Sequence, residues 1–227
     1  MKNLLSIVFV IGSTFLLNSQ SVNKLKKDLL NSIEEKTLEL TSLSDKIWEA
    51  AEVAFREDKS AEYLIEYAEA NGLTIERGLA GMPTAFTASY GKGKPVIGII
   101  GGFDALPGLS QTIAPYRDEL IEGGAGHGCG HNLFGTASLG AAIAIKELIE
   151  KGSIEGTVKF FGTPAEEKFF GKLWMIREGV FDDVDICMDW HPADKTEANV
   201  QPSLALVDFM VEFTGQSAHA SMDPWNA

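Results

Sequence analysis

Cysteine is almost missing from this chain of 227 residues: only Cys129 and Cys187 occur, which excludes a disulfide-stapled fold. At most one bridge, Cys129–Cys187, can form, and it would compete with any metal role for Cys129. Positive charge is also short. Lys and Arg number 19 against 32 Asp and Glu, a formal net charge of −13, and the cations are scattered rather than clustered. Nucleic acid and other polyanions are therefore excluded as partners. Internal repeats and low-complexity segments are absent, and 45% hydrophobic with 22% charged residues is the balance of a globular protein.

The first residues follow a different rule. Lys2 precedes an apolar run, Leu4 to Leu17, broken only by Ser6, Gly12, Ser13 and Thr14 and followed by the small or polar residues Asn18 to Ser21. A bilayer needs about 20 apolar residues, so the run is too short for stable membrane insertion. It reads as a signal peptide over residues 1–20, which makes the mature protein an exported one, periplasmic or secreted. An uncleaved anchor is the alternative.

Beyond it, Leu25, Leu29, Leu30 and Ile33, then Leu38, Leu43, Ile47 and Trp48, recur at helical spacing, with Ser42 and Ser44 as N-caps of a second helix running to about Phe55. Ser60 to Ala70 predicts another helix, closed by Asn71 and Gly72. Thr84 to Tyr90 alternates as a strand does. Val96 to Gly101, Thr157 to Gly162 and Val184 to Trp190 are apolar runs that predict buried strands, the last burying Cys187 as an inert thiol. Helices over about Leu133 to Lys151 and Leu173 to Gly179 separate them. Strand and helix alternate, so the fold class is α/β, with right-handed crossovers. A change of texture after Pro202 sets a boundary near Leu206, and Leu204 to Thr214 predicts one long strand beyond it.

The glycine-rich stretch from Asp104 to Asn132 is too long for an ordinary connection and points to function. Ligands of open α/β sheets bind beyond the carboxyl ends of the strands. Asp104, the adjacent Glu166 and Glu167, and His191 all fall at such ends, and the loop carrying His127, Cys129 and His131 leads into the following helix. All four histidines lie between positions 127 and 219. Thiol, imidazole and carboxylate together suit zinc or another divalent transition metal, and Cys129-x-His131 is a tight chelating pair. Glu166 and Glu167, on an extended segment, would point apart, one to metal and the other to the attacking water. Asp104 would orient a metal-bound histidine or water. His127 reads either as a supporting donor or as a plain loop residue, and His219 either as a stabiliser of substrate charge or as a surface histidine.

Gly102-Phe103-Asp104-Ala105-Leu106-Pro107-Gly108, Gly126-His127-Gly128-Cys129-Gly130-His131-Asn132, Thr163-Pro164-Ala165-Glu166-Glu167, Trp190-His191-Pro192 and Gly215 to Ala220 with Pro224 carry a resemblance. They resemble the metallopeptidase family of the aminoacylases, hippurate hydrolases and auxin-conjugate amidohydrolases, and within it the p-aminobenzoyl-glutamate hydrolase group. The resemblance implies a catalytic domain with a mixed sheet flanked by helices, over 21–205, and over 206–227 the start of an inserted α+β lid and dimerisation domain. It implies two divalent ions, Zn or Mn, held by Cys129, His131, Glu167 and His191. Glu166 would be the general base, Asp104 the orienting residue and His219 the holder of the substrate carboxylate or carbonyl. The implied reaction is cleavage of the amide in an N-acyl amino acid or an aminobenzoyl-glutamate-like conjugate, a small amide bearing a carboxylate, by a homodimer.

Two features depart from that pattern. Gly102 stands where many relatives carry a metal-binding histidine, as it does in the Cys-x-His group. The family also completes its catalytic domain, with a further metal-binding histidine, beyond the span of this chain, which therefore reads as a truncated enzyme. Two other readings compete: a thiol hydrolase with Cys129 as nucleophile and His127 or His131 as base, and a non-catalytic exported metal-binding protein.

Overall fold

Two helices in near succession open the described part of the chain. In the computed structural model, which describes residues 21–198, 205–207, 209–219 and 221–226, α1 covers 21–35 and α2 runs Thr37–Ala50 after a break at Lys36. The signal-peptide reading of 1–20 lies outside the described residues. Ser42 and Ser44 do not cap a helix as expected. They sit inside α2, whose buried stripe is Leu43, Ser44 and Ile47, and Ser44 Oγ accepts a hydrogen bond from Asn132 Nδ2 at 3.0 Å. The helix stops at Ala50, short of Phe55, because Ala51 turns left-handed (φ 43°). Helix α3, Asp58–Ala70, begins under the Glu52 carboxylate, which accepts from the backbone N–H of Lys59 and Ser60 and satisfies two donors that a helix start leaves open.

Five strands make one mixed sheet: β1 (Thr74–Arg77), β2 (Phe86–Lys92), β3 (Val96–Gly102), β4 (Gly156–Thr163) and β5 (Ile186–Met188), in the order β1-β2-β4-β3-β5. Strand β2 is antiparallel to both β1 and β4, while β4, β3 and β5 run parallel. The parallel pairs require crossovers, supplied by α4 (His131–Glu150) and by the short helices α5 (Glu166–Phe169) and α6 (Gly171–Arg177). The expected α/β class with a mixed, helix-flanked sheet is the fold observed.

Strand periodicity sends Phe160 and Phe161 to opposite faces. Phe160 joins Phe86, Phe103, Leu139, Ile143, Ile47 and Leu64 under α2, α3 and α4, and Phe161 joins Met82, Ala85 and Met175 beneath α6. Helix α4 is apolar and long enough to cross a membrane, yet it is the core helix here, mostly buried. It lies hard against β3 because residue 135 has no side chain: a Cβ there would stand 2.8 Å from the Gly102 carbonyl oxygen.

The structure corrects several expectations. Strand β1 is invisible to an apolar count because Ile75 is its only apolar residue. The run from Val184 to Trp190 is neither a long strand nor a buried one: β5 is three exposed residues that pair, among the described residues, with β3 alone, and Cys187 is exposed. Both cysteines are free thiols, which removes the Cys129–Cys187 bridge. Residues from Ala193 form a second compact unit. The described part of the expected strand Leu204 to Thr214 is not strand, because it has no pairing partner among the described residues.

The contact of α4 with β3 gives a direct test. Gly135→Val should destabilise the protein by about 2 kcal/mol through overpacking, read as a lower urea midpoint, whereas Ala137→Val, at an exposed position of the same helix, should shift it far less. Equal shifts would show that the close approach does not constrain the fold.

Candidate metal centre

Three parallel strands end side by side, and the residues just past them carry the polar groups. Beyond β3, the buried Asp104 divides its carboxylate between two tasks: Oδ1 lies 3.0 Å from His131 Nδ1, and Oδ2 accepts the Glu167 backbone N–H at 2.9 Å. The long loop that follows is ordered by its own backbone. Leu106 and Gly126 exchange hydrogen bonds at 3.0 Å in both directions, and Ser110 N–H donates to the Gly124 carbonyl. That return delivers residues 126–131 to the strand ends. Gly130, at φ 79°, makes the left-handed turn that puts His131 at the first position of α4.

Both cluster histidines are fixed by their neighbours. His131 Nδ1 faces Asp104 Oδ1 and the Asp104 carbonyl (3.1 Å), two acceptors, so Nδ1 is a donor there and Nε2 is the nitrogen turned towards Glu166. His191 Nδ1 likewise donates to the Pro192 carbonyl at 2.9 Å, leaving Nε2 turned to Cys129 Sγ, 3.3 Å away. The ligand atoms of Cys129, His131 and His191 lie within 4.8 Å of one another, and so do those of Asp104, His131 and Glu166. His131 is common to both groups.

Glu166 and Glu167 do not sit on an extended segment as expected. They open the single-turn helix α5, after Ala165 in the left-handed region (φ 57°). Both carboxylates nevertheless reach the cluster. Glu166 Oε2 is 2.9 Å from His131 Nε2, and Glu167 Oε1 is 3.8 Å from His131 Nδ1. The Glu166–His131 approach lacks hydrogen-bond geometry. His131 Nε2, Glu166 Oε2 and Glu167 Oε1 are all buried with no hydrogen-bond partner. Buried polar atoms are nearly always hydrogen-bonded; here His131 Nε2 and Glu166 Oε2 meet only as an ion pair and Glu167 Oε1 has no hydrogen-bond partner, so imidazole and carboxylates converge as the ligands of a divalent cation would.

The electrostatics agree. Burial alone would lower the pKa of His131, but Asp104 and Glu166 override it and push it up to about 9. His131 in turn holds the Glu166 carboxyl below its usual value, while burial raises that of Glu167. Burial first, then Glu167, push the Cys129 thiol up to about 12. A thiol nucleophile needs the reverse, a cationic surrounding that lowers its pKa, so the Cys129–His191 distance alone does not make a thiol hydrolase. The same crowd of acceptors is what a bound cation would neutralise.

Asp104, Cys129, His131, Glu166, Glu167 and His191 therefore meet. His127 does not join them: its Nε2 bonds the Ile47 carbonyl at the end of α2, and burial lowers its pKa. His219 belongs to the unit beginning at Ala193, where its Nδ1 lies 3.2 Å from Ser221 Oγ. One residue near the site has no signal in the sequence. Glu57 is completely buried, its Oε1 accepting the Ala165 N–H at 2.8 Å and its Oε2 the Thr84 hydroxyl at 3.3 Å. In the sequence it stands within Arg56-Glu57-Asp58-Lys59, which looks like a solvated helix start.

Residues 98–225 match peptidase family M20/M25/M40. The chain is 44% identical over 202 residues to a p-aminobenzoyl-glutamate hydrolase subunit of Escherichia coli (strain K12), covering 86% of this chain and 40% of that protein. It is 30% identical over 213 residues to Xaa-Arg dipeptidase of Mus musculus, covering 88% and 46% respectively. Among solved structures, the Bacillus subtilis YXEP protein, a dinuclear metal binding peptidase from the M20 family, aligns with a TM-score of 0.54 at 26% identity over 65% of this chain and 41% of that one. The chain thus spans less than half the length of these relatives.

Burial lifts the Glu57 carboxyl from its ordinary 4.5 to about 7. As pH rises through that window the unfolded chain releases the proton first, so native stability falls with pH. In metal-stripped protein, Glu57→Gln should abolish up to roughly 3 kcal/mol of that fall, measured by urea unfolding at the two ends of the window. An unchanged slope in the variant would show that Glu57 does not titrate there.

Proposed function

Because this chain belongs to peptidase family M20/M25/M40, we propose that its cluster holds two divalent metal ions and serves amide hydrolysis in the whole protein. The observation that carries the reading is the convergence of His131 Nε2, Glu166 Oε2 and Glu167 Oε1, buried and without hydrogen-bond partners, beside Cys129 and His191. Cys129, His131, Glu167 and His191 are the proposed ligands, for Zn or Mn. When bound, such ions supply Lewis-acid activation of the attacking water and of the scissile carbonyl.

The chain's own residues supply the rest. Glu166, held ionised by His131, accepts the proton of the attacking water on its carboxylate and delivers it to the leaving amine nitrogen. Water oxygen bonds the carbonyl carbon as the C–N bond breaks. Asp104 keeps the His131 proton on Nδ1, so that Nε2 stays free. His219 holds the substrate carboxylate or the carbonyl.

The name of the Escherichia coli relative favours a substrate class. We take it to be aminobenzoyl-glutamate-like conjugates or N-acyl amino acids. Export after removal of residues 1–20, without stable membrane insertion, and a homodimer built through the domain that starts at 206–227 complete the proposal.

In the full-length product, Glu166→Gln should lower kcat for aminobenzoyl-glutamate about 10²- to 10⁴-fold while bound metal stays unchanged. His191→Ala should lose metal as well as turnover. A chelator should abolish activity, and Zn or Mn should restore it. Activity that survives the chelator but not a thiol-blocking reagent would replace this reading with Cys129 nucleophilic catalysis.

A further inference from the structure

Helix α5 is a single turn, too short to hold its own shape, yet it carries two of the cluster's three carboxylates, Glu166 and Glu167. Its geometry is imposed from outside. Ala165, which launches it, is fully buried and left-handed at φ 57° and ψ 38°, a conformation that a residue with a Cβ resists. The Ala165 carbonyl accepts the N–H groups of Phe169 and Gly171, both at 3.2 Å, so the turn and the start of α6 hang from this one residue. Its N–H is taken by Glu57 Oε1, from the residue that precedes α3, at 2.8 Å. Two residues on, the Glu167 N–H is taken by Asp104 Oδ2. Two buried carboxylates from separate elements thus clamp the same turn. Asp104 belongs to the cluster, whereas the side-chain oxygens of Glu57 are spent on Ala165 and Thr84 rather than on any candidate ligand side chain. A completely buried carboxylate is costly unless its hydrogen bonds are strong, and here both oxygens of Glu57 have a partner.

We propose that Glu57 is a positioning residue: by holding Ala165 left-handed it sets the direction in which Glu166 and Glu167 enter the metal cluster. The inference rests on the functional reading above. Glu57 is assigned no contact with substrate or metal and acts through the backbone of the α5 turn.

Three variants of the full-length protein test it, each measured for kcat and KM on aminobenzoyl-glutamate, bound Zn or Mn, and hydrogen exchange of residues 164–170. Glu57→Gln keeps an acceptor for the Ala165 N–H and can still bond Thr84, so kcat should stay within about threefold of wild type. Glu57→Leu removes both acceptors. It should lower kcat roughly 10- to 100-fold with little change in KM, weaken metal retention and speed exchange over 164–170. Adding Ala165→Gly to Glu57→Leu should recover at least about tenfold in kcat, because glycine adopts the left-handed turn without support.

Unchanged kcat, metal and exchange in Glu57→Leu would overturn the proposal. So would losses that Ala165→Gly fails to repair, since they would mark Glu57 as a general packing residue. If wild type itself neither binds metal nor turns over, the functional reading falls, and exchange alone decides the clamp. Faster exchange over 164–170 in Glu57→Leu keeps it, and unchanged exchange removes it.

Discussion

The site turns on one buried carboxylate with two jobs. Asp104 Oδ1 takes the His131 Nδ1 proton and Oδ2 takes the Glu167 N–H, so a single side chain at the end of β3 ties the first turn of α4 to the turn after β4. Each bond is ordinary by itself. Their shared origin means that the imidazole, which both candidate ligand groups use, and the carboxylate pair cannot move independently of the strand. Asp104 is buried with both oxygens occupied, which is the condition under which a buried carboxylate is tolerated.

The sheet makes that convergence possible. Because β4, β3 and β5 are parallel neighbours, their carboxyl ends lie at one edge, and the residues just beyond them need only short reaches to meet. Helix α4 closes the arrangement from one face. Its approach to the Gly102 carbonyl at Gly135 fixes where its first residue, His131, stands relative to the strand ends. Packing and chemistry are therefore one constraint: a side chain added at 135 pushes on the same backbone that precedes Asp104.

What can be read in the sequence follows from which forces are local. Buried β3 and β4 are legible because continuous apolar runs mark strands covered on both faces, and Phe160 and Phe161 do bury on opposite sides. The residues that meet at the strand ends are legible from chemical type and their place after those runs. Strand β1 is not, because an edge strand with Ile75 as its single apolar residue has no periodic signal. Strand β5 looks longer and more buried in the sequence than it is, because an apolar run does not reveal that among the described residues it pairs on one side only. The α5 turn reads as extended because its true shape comes from Asp104 and Glu57, 63 and 108 residues away in sequence. Glu57 has no local signature at all: its burial is created by the segments carrying Thr84 and Ala165.

The orientation of His191 has a mechanical consequence. Its Nδ1 proton is held by the carbonyl of Pro192, the last residue of the first compact unit. The peptide through which the chain leaves that unit is thus also the pivot of an imidazole that faces Cys129. The ring is therefore oriented by its own chain neighbour, whereas Cys129 and His131 are placed by the returning loop and by the start of α4.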